Sequence, residues 1–394
     1  MFSSHFGNAT SQSAPDDVLI SRLLEDAKTA WSYFQIEGNA PSMVPCAAWF
    51  EGEATIGQLP ELTMWDVGSI VLAYVSARDL GLIDDAELKV RGGDVVNYLG
   101  KTRFTFDGNA LPNFRNSSLD GSPVEEGFDS TDMGRLLIAL SVLDRATRGT
   151  LDIKDLVTAW DVSGSIKNGA MQDIKHGEAS PAKSYVYAAY VSRGYDLWAI
   201  EHKPVLALPV GTAAARRRFL NRVQEVGLIA TEPSLNEAVE LGISPQGEVL
   251  AETLSVAQER RYESDGILTA VSEGPMDREP WFSYQAYKLD GRDGEWRVDA
   301  LDENPNWQTK EFIEGARMVS SKAAFLWLAY KPNDYSRRLY EHISQGAKSD
   351  RLGFCSGIYE KSGERCEEYD VNTNAIILEA IAYIKNGRKP IAAV

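Results

Sequence analysis

The segment "AVSEGPMDREPWF" (270–282) sets Glu273 behind an apolar run and at the mouth of a loop containing Pro and Gly. A carboxylate there has no helix to cap. A second apolar run, "SGIYE" (356–360), closes on Glu360, and "NTN" (372–374) follows just before a helical pattern. Glycosidic cleavage requires two carboxyl groups, one protonated as acid and one ionised as base or nucleophile. The neighbouring residues are of the kinds that bind sugars. Rings cover the apolar C–H faces, and acids and amides fork to vicinal hydroxyls. Glu273 and Glu360 therefore lead as candidate catalytic residues, with Asp132, Asp66 and Glu232 behind them. The candidate substrate contacts are Trp65, Phe128, Arg135, Glu178, Asp277, Trp281, Tyr359, Asn372 and Asn374.

Each has a plainer reading. Asp66 and Asp132 open helical patterns, where an acid serves the helix dipole. Arg135 lies one turn after Asp132 and suits an i,i+3 ion pair. Glu232 precedes Pro233 and reads equally as a helix start. Trp65 is as well suited to a core as to a platform. Asp277 and Glu360 also fit turns.

The elements that position these residues alternate in type. Amphipathic helical patterns occupy 18–34, 85–99, 152–161, 212–227, 248–262 and 334–346. Patterns apolar on nearly every side occupy 64–80, 131–144, 184–200, 321–330 and 372–384, with a shorter, more polar one at 232–242. Helices apolar all round belong inside a large fold. The alternation predicts an all-α (α/α)6 barrel, with six outer helices around six inner ones. Inner-to-outer links are mostly short and outer-to-inner links mostly long, so one end carries most of the irregular chain, where function concentrates. The stretch around "DGRDG" (290–294) reads as a β-hairpin, and "LGFCSGIYE" as a further short strand. The expected organisation is a disordered tail over 1–17 and one barrel domain over 18–394.

The 394 residues carry 40 basic and 57 acidic side chains, a formal charge of −17. That balance disfavours nucleic acid and anionic membrane as partners, since both need a basic face. A neutral saccharide is unaffected. Three cysteines without CxxC, four scattered histidines and an incomplete calcium-loop pattern imply neither metal nor cofactor. Cys355 and Cys366 are read as packed thiols or as a bridge across one turn. No stretch is long and apolar enough to span a membrane. The polar start, "MFSSHFGNATSQSAPDD", reads as a tail or as the stub of a removed export signal, giving a periplasmic or secreted protein in the second case and a cytoplasmic one otherwise.

Six phrases in order, "TMWDVGS", "STDMGRLLIAL", "YVSRGYDLW", "RYESDGILTAVSEGPMD", "SSKAAFLWLAY" and "SGIYE…NTNAIILEA", resemble bacterial domain-of-unknown-function family 3131 over about 60–390. That family is associated with exported polysaccharide loci. It is similar in architecture to the (α/α)6 clan of endo-β-1,2-glucanases and cyclic β-1,2-glucan synthase transglycosylase domains. The resemblance implies a glycoside hydrolase or transglycosylase acting on a neutral bacterial β-glucan, β-1,2-linked first. One departure stands out. The synthase-type relatives place a glutamate at the start of the third inner helix, in an "NEAM"-like phrase, whereas "KSYVYAAY" has no acid. Glu178 just before it is the substitute on offer, and "NEAV" (236–239) falls in the next helix. A glycan-binding or exopolysaccharide-assembly protein is the alternative that this departure favours. A polysaccharide lyase ranks lower, since its uronate would need a basic or Tyr/His-centred cleft.

Overall fold

The structure, a computed structural model, describes residues 17–36, 43–52, 55–182, 186–205, 212–225, 230–286, 295–298, 306 and 309–394. The expected tail over 1–16 and the hairpin tip at 290–294 lie outside the described residues. Thirteen α-helices occur among the described residues: α1 (Asp17–Ser32), α2 (Met64–Leu80), α3 (Asp85–Leu99), α4 (Ser130–Ala146), α5 (Ile153–Ala159), α6 (Ala188–Leu197), α7 (Ala213–Glu225), α8 (Glu232–Glu240), α9 (Pro245–Asp265), α10 (Lys310–Ala316), α11 (Ser321–Tyr330), α12 (Asp334–Gly346) and α13 (Val371–Lys385).

Their packing follows the two sequence flavours. The apolar helices touch in the order α2, α4, α6, α8, α11, α13 and back to α2. The amphipathic helices lie against them: α1 on α13, α3 on α2, α5 on α4, α9 on α8 and α12 on α11, with α7 on α9. α4 and α6 approach through Gly134 and Gly194. A Cβ on Gly194 would sit 2.0 Å from the Gly134 carbonyl oxygen, so any side chain there would force the helices apart.

Local signals fix the helix ends. Thr63 and Asp66 form a capping box at the start of α2, and Gly81 ends that helix in the left-handed conformation at φ 81°. Asp129 caps α4, Asp370 caps α13, and Asn333 with Ser336 boxes α12. Each such cap contributes about 1 kcal/mol. The polar helix α8 is buried along its whole length, despite three glutamates and an asparagine. Partners facing it from neighbouring helices explain most of this, as described below.

Short strands fill the long links. The largest sheet is antiparallel and runs in the order Met318–Ser320, Gly353–Tyr359, Arg365–Asp370, Ala47–Phe50, Ile56–Leu59. Two of its strands lead directly into inner helices, at Ser320 for α11 and Asp370 for α13. Phe282–Ala286 pairs with Glu295–Val298, as the hairpin signal predicts, and a strand spans the Gly353–Tyr359 run. The sheet through Glu61–Thr63 and the one that pairs Gly127–Phe128 with Ala170–Lys175 are additional to those expected. Their strands are two to six residues long, too short for a period-two pattern to stand out. Inner-to-outer links are short except 198–212, which joins α6 to α7.

Candidate active site

The starts of the inner helices meet at one end. On α2, Asp66 accepts from the Thr63 N–H at 2.9 Å and from the Asn372 side-chain amide of α13 at 2.8 Å. Ser69 donates to the side-chain oxygen of Asn372 at 2.5 Å. Burial raises the Asp66 carboxyl despite these bonds. Asp132 in the first turn of α4 is raised well above the carboxylate range, first by burial and then by the charges of Asp129 and Asp66. Asp129 itself is pushed up to about 6 by burial and by Asp173. Asp66 and Asp132 thus combine helix-start duties with membership of one carboxyl cluster.

On α8, Glu232 is enclosed. Lys322 of α11 lies 2.7 Å from one of its oxygens. The other accepts from the Ser272 hydroxyl, the Glu273 N–H at 3.3 Å and the Tyr187 hydroxyl at 3.4 Å. Beside this pair a small concavity opens, and Ser272, Glu273, Ser320, Lys322, Ser356 and Thr373 line it. Ser356 and Thr373 both donate to the cap carboxylate Asp370, at 3.3 and 2.6 Å. Ser356 also donates to the Glu368 carbonyl at 3.2 Å. On the strand Arg365–Asp370, Glu368 and Asp370 project from the same face, because side chains alternate. Burial, with the charges of Asp370 and Asp277, pushes the Glu368 carboxyl up to about 8. It therefore keeps its proton at neutral pH and can donate it.

Sequence reasoning missed Glu368 and Asp370. The alternation across "CEEYD" carried the signal, because it sets 366, 368 and 370 on one face. The concavity thus holds one expected carboxylate, Glu273, beside hydroxyls, two of which donate to Asp370, an acid that was not expected.

Several expected site residues lie elsewhere. Glu360 turns away from the concavity. Its carboxylate accepts from Arg261 of the outer helix α9 at 2.7 Å, and burial raises its carboxyl against the opposing pull of that guanidinium. Tyr359 is buried, donates to Asp277 at 2.9 Å and carries Arg278 over its ring at 4.3 Å. Asp277 is a loop anchor. Burial opposes its charge, but bonds from Arg278, the Glu367 N–H and Tyr359 hold the carboxyl below its usual value. Asn374 is wholly buried and pins α13 to the sheet through the Phe354 N–H at 2.8 Å and carbonyl at 3.1 Å. Phe128 is core, in register with Ile174. Glu178 is exposed on an outlying strand opposite Lys175, so it does not supply the acid lacking at the start of α6. Trp281 is 61% exposed, at a left-handed φ of 71°.

Arg135 does not pair with Asp132 and does not face the concavity. It is fully buried among the inner helices, bonded to the Trp65 carbonyl and Ser69 on α2, Glu240 on α8 and Glu379 on α13. Its guanidinium stacks 4.6 Å from the Trp65 ring, which also meets Tyr187 and Tyr190 edge-on. Tyr190 donates to Glu240. Burial raises both Glu240 and Glu379. Trp65 is therefore part of an internal network. Cys46, Cys355 and Cys366 are free thiols. Among the described residues no cluster of His, Cys, Asp or Glu is arranged to hold a metal, and no helix is long and apolar enough to cross a membrane.

The fold is shared with carbohydrate-active proteins of low sequence identity. An endo-β-1,2-glucanase from Chitinophaga pinensis, solved with sophorotriose and glucose, superposes with a TM-score of 0.61 at 13% identity, covering 93% of each chain. The "putative glucoamylase" from Bacteroides uniformis gives 0.62 at 12% identity, covering 96% of this chain and 93% of that one. A Talaromyces funiculosus endo-β-1,2-glucanase mutant, solved with β-1,2-glucan, gives 0.57 at 12%, covering 92% and 84%. The helical architecture is thus of the glucanase and glucoamylase type. The chain belongs to the family described as Protein of unknown function (DUF3131), whose profile matches residues 25–387. No curated protein matches it in sequence.

Proposed function

We propose that this protein is a glycoside hydrolase or transglycosylase of the (α/α)6-barrel type, acting on a neutral β-glucan, with β-1,2-glucan the first candidate. The observation that carries the reading is the concavity at the inner-helix starts. Glu273 lines it beside four hydroxyls, two of these donate to Asp370, and Glu368 lies two residues before Asp370 on the same strand. Glu368 is the general acid in this reading, because its carboxyl is protonated at neutral pH and can pass a proton to a leaving oxygen. Glu273 is the partner carboxylate that acts as base or nucleophile. The hydroxyls of Ser272, Ser320, Ser356 and Thr373 suit an uncharged, hydroxyl-rich ligand. Exposed Trp281 offers a ring face for stacking on a sugar. The substrate linkage rests on the names of the structural neighbours.

The test is incubation with linear glucans of several linkages, β-1,2-glucan included, followed by chromatography and a reducing-end assay. New reducing ends or transfer products are expected from a neutral glucan, and a panel with neither removes the enzyme reading. Binding by calorimetry without turnover favours the glycan-binding alternative, which the acid-free start of α6 at Tyr187 supports. A lyase is less well served, since the ammonium on the cleft floor, Lys322, is already paired with Glu232.

A further inference from the structure

We propose that the Glu232–Lys322 pair is a positioning clamp that aims Glu273 into the concavity, and that Glu232 is not itself an acid or base. The inference rests on the reading of Glu273 as a reacting carboxylate. Four donors from three elements converge on Glu232. Lys322 at the start of α11 holds one oxygen at 2.7 Å. Tyr187 at the start of α6 reaches the other at 3.4 Å, and the Ser272 hydroxyl and the Glu273 N–H bind that same oxygen. Glu232 is 2% exposed, so water does not compete for these bonds.

An acid or base must reach the proton it moves, within about 3.2 Å or through one water. Both oxygens of Glu232 are already engaged by four donors. What they hold is informative. Two of the four donors belong to consecutive residues, Ser272 and Glu273, where the chain leaves its apolar run. The clamp thus fixes the backbone from which the Glu273 side chain projects, and it ties that backbone to three inner helices, α6, α8 and α11. Lys322 supplies the opposite charge in a site where an unpaired carboxylate would be costly. Displacing a reacting group by about 1 Å lowers rate by about 100-fold without removing it.

The experiment compares Glu232→Ala with Glu232→Gln, using turnover on the glucan that the wild-type protein cleaves and amide hydrogen exchange at Ser272–Gly274. The amide of Gln still offers an oxygen to Ser272 and to the Glu273 N–H, but it cannot take or give a proton at neutral pH. Glu232→Ala is expected to lose about 100-fold in kcat with KM within about 3-fold, and to speed exchange at Glu273. Glu232→Gln is expected to keep kcat within about 10-fold and to keep that amide protected. Equal inactivity of two folded variants overturns the proposal in favour of direct acid–base chemistry. Full activity of Glu232→Ala overturns it by removing any role. Should the alanine variant fail to fold, Glu232→Asp stands in, with a carboxylate one methylene short and a kcat loss of at least about 10-fold expected. If no glucan is cleaved even by the wild type, the function reading fails by itself. The exchange measurement still decides the clamp, and unchanged protection at Glu273 in the alanine or aspartate variant overturns it.

Discussion

Glu273, Glu360 and Glu368 are chemically alike, and their surroundings separate them. Glu273 lines a concavity of hydroxyls, Glu368 is held protonated beside Asp370, and Glu360 is locked to Arg261. Replacing Glu273 or Glu368 by Gln should lower glucan turnover by at least about 100-fold with an unchanged melting temperature, the size of effect typical of a general acid or base. Glu360→Gln should do the reverse. Turnover should stay within about 3-fold, and denaturant titration should show a loss of about 1–2 kcal/mol from the broken, partly exposed ion pair. An inactive but fully stable Glu360→Gln protein would restore that residue to the site. Activity that survives Glu368→Gln would remove the proposed acid.

At the scale of elements, Arg135 joins the inner helices. It comes from α4 and bonds to α2, α8 and α13, while Tyr190 of α6 closes the network on Glu240. Burial opposes the charge on Arg135, and Glu240, Tyr190 and Glu379 more than restore it. Arg135→Met leaves two raised, buried carboxyls facing each other without their cation. Calorimetry should show a loss of about 3–5 kcal/mol, the usual consequence of deleting one partner of a buried pair. Adding Glu240→Gln and Glu379→Gln should recover part of it, because the desolvated charges go with the cation. If the single variant melts with the wild type, the network does not hold the ring together.

Across the whole molecule, most of the carboxyls that shift move upward. Glu368 rises from 4.5 to about 8 and Asp129 from 3.8 to about 6, while Asp66, Asp132 and Glu360 also rise. A carboxyl with a raised folded pKa binds its proton more tightly in the folded chain. Its stabilisation is complete below the unfolded value and is lost as pH climbs through the folded one. The protein should therefore melt higher at pH 5.5 than at pH 8.5, by at least about 3 °C. The formal charge of −17 works in the same direction, since self-repulsion eases as carboxyls protonate. Asp277, held below its usual value, acts the opposite way but only at more acidic pH. A flat or rising melting temperature from pH 5.5 to pH 8.5 would show that the clustered acids titrate normally. Activity should decline as pH passes about 8, when Glu368 loses its proton.

The sequence by itself determined the alternation of helices, because burial leaves a periodic mark on a long element. An apolar circumference at 64–80 or 372–384 and an apolar stripe at 334–346 each span enough turns to be unmistakable. It also showed that most long links run from outer to inner helices, and that Glu273 lies in a loop where no helix needs it. Only the tertiary structure decided which polar residues face the concavity. Glu360, Tyr359 and Asn374 sit in the phrase that looked most like a site, yet a strand alternates its faces and a bulge lies between Cys355 and Gly357, so one offset sends Glu360 to Arg261. Arg135 suits a substrate contact or a pair with Asp132 in the chain, and it is buried because it finds its partners on α8 and α13, more than a hundred residues away. Long-range pairing of charges leaves no periodicity in sequence. For that reason the scaffold was legible in advance and the assignment of its carboxylates was not.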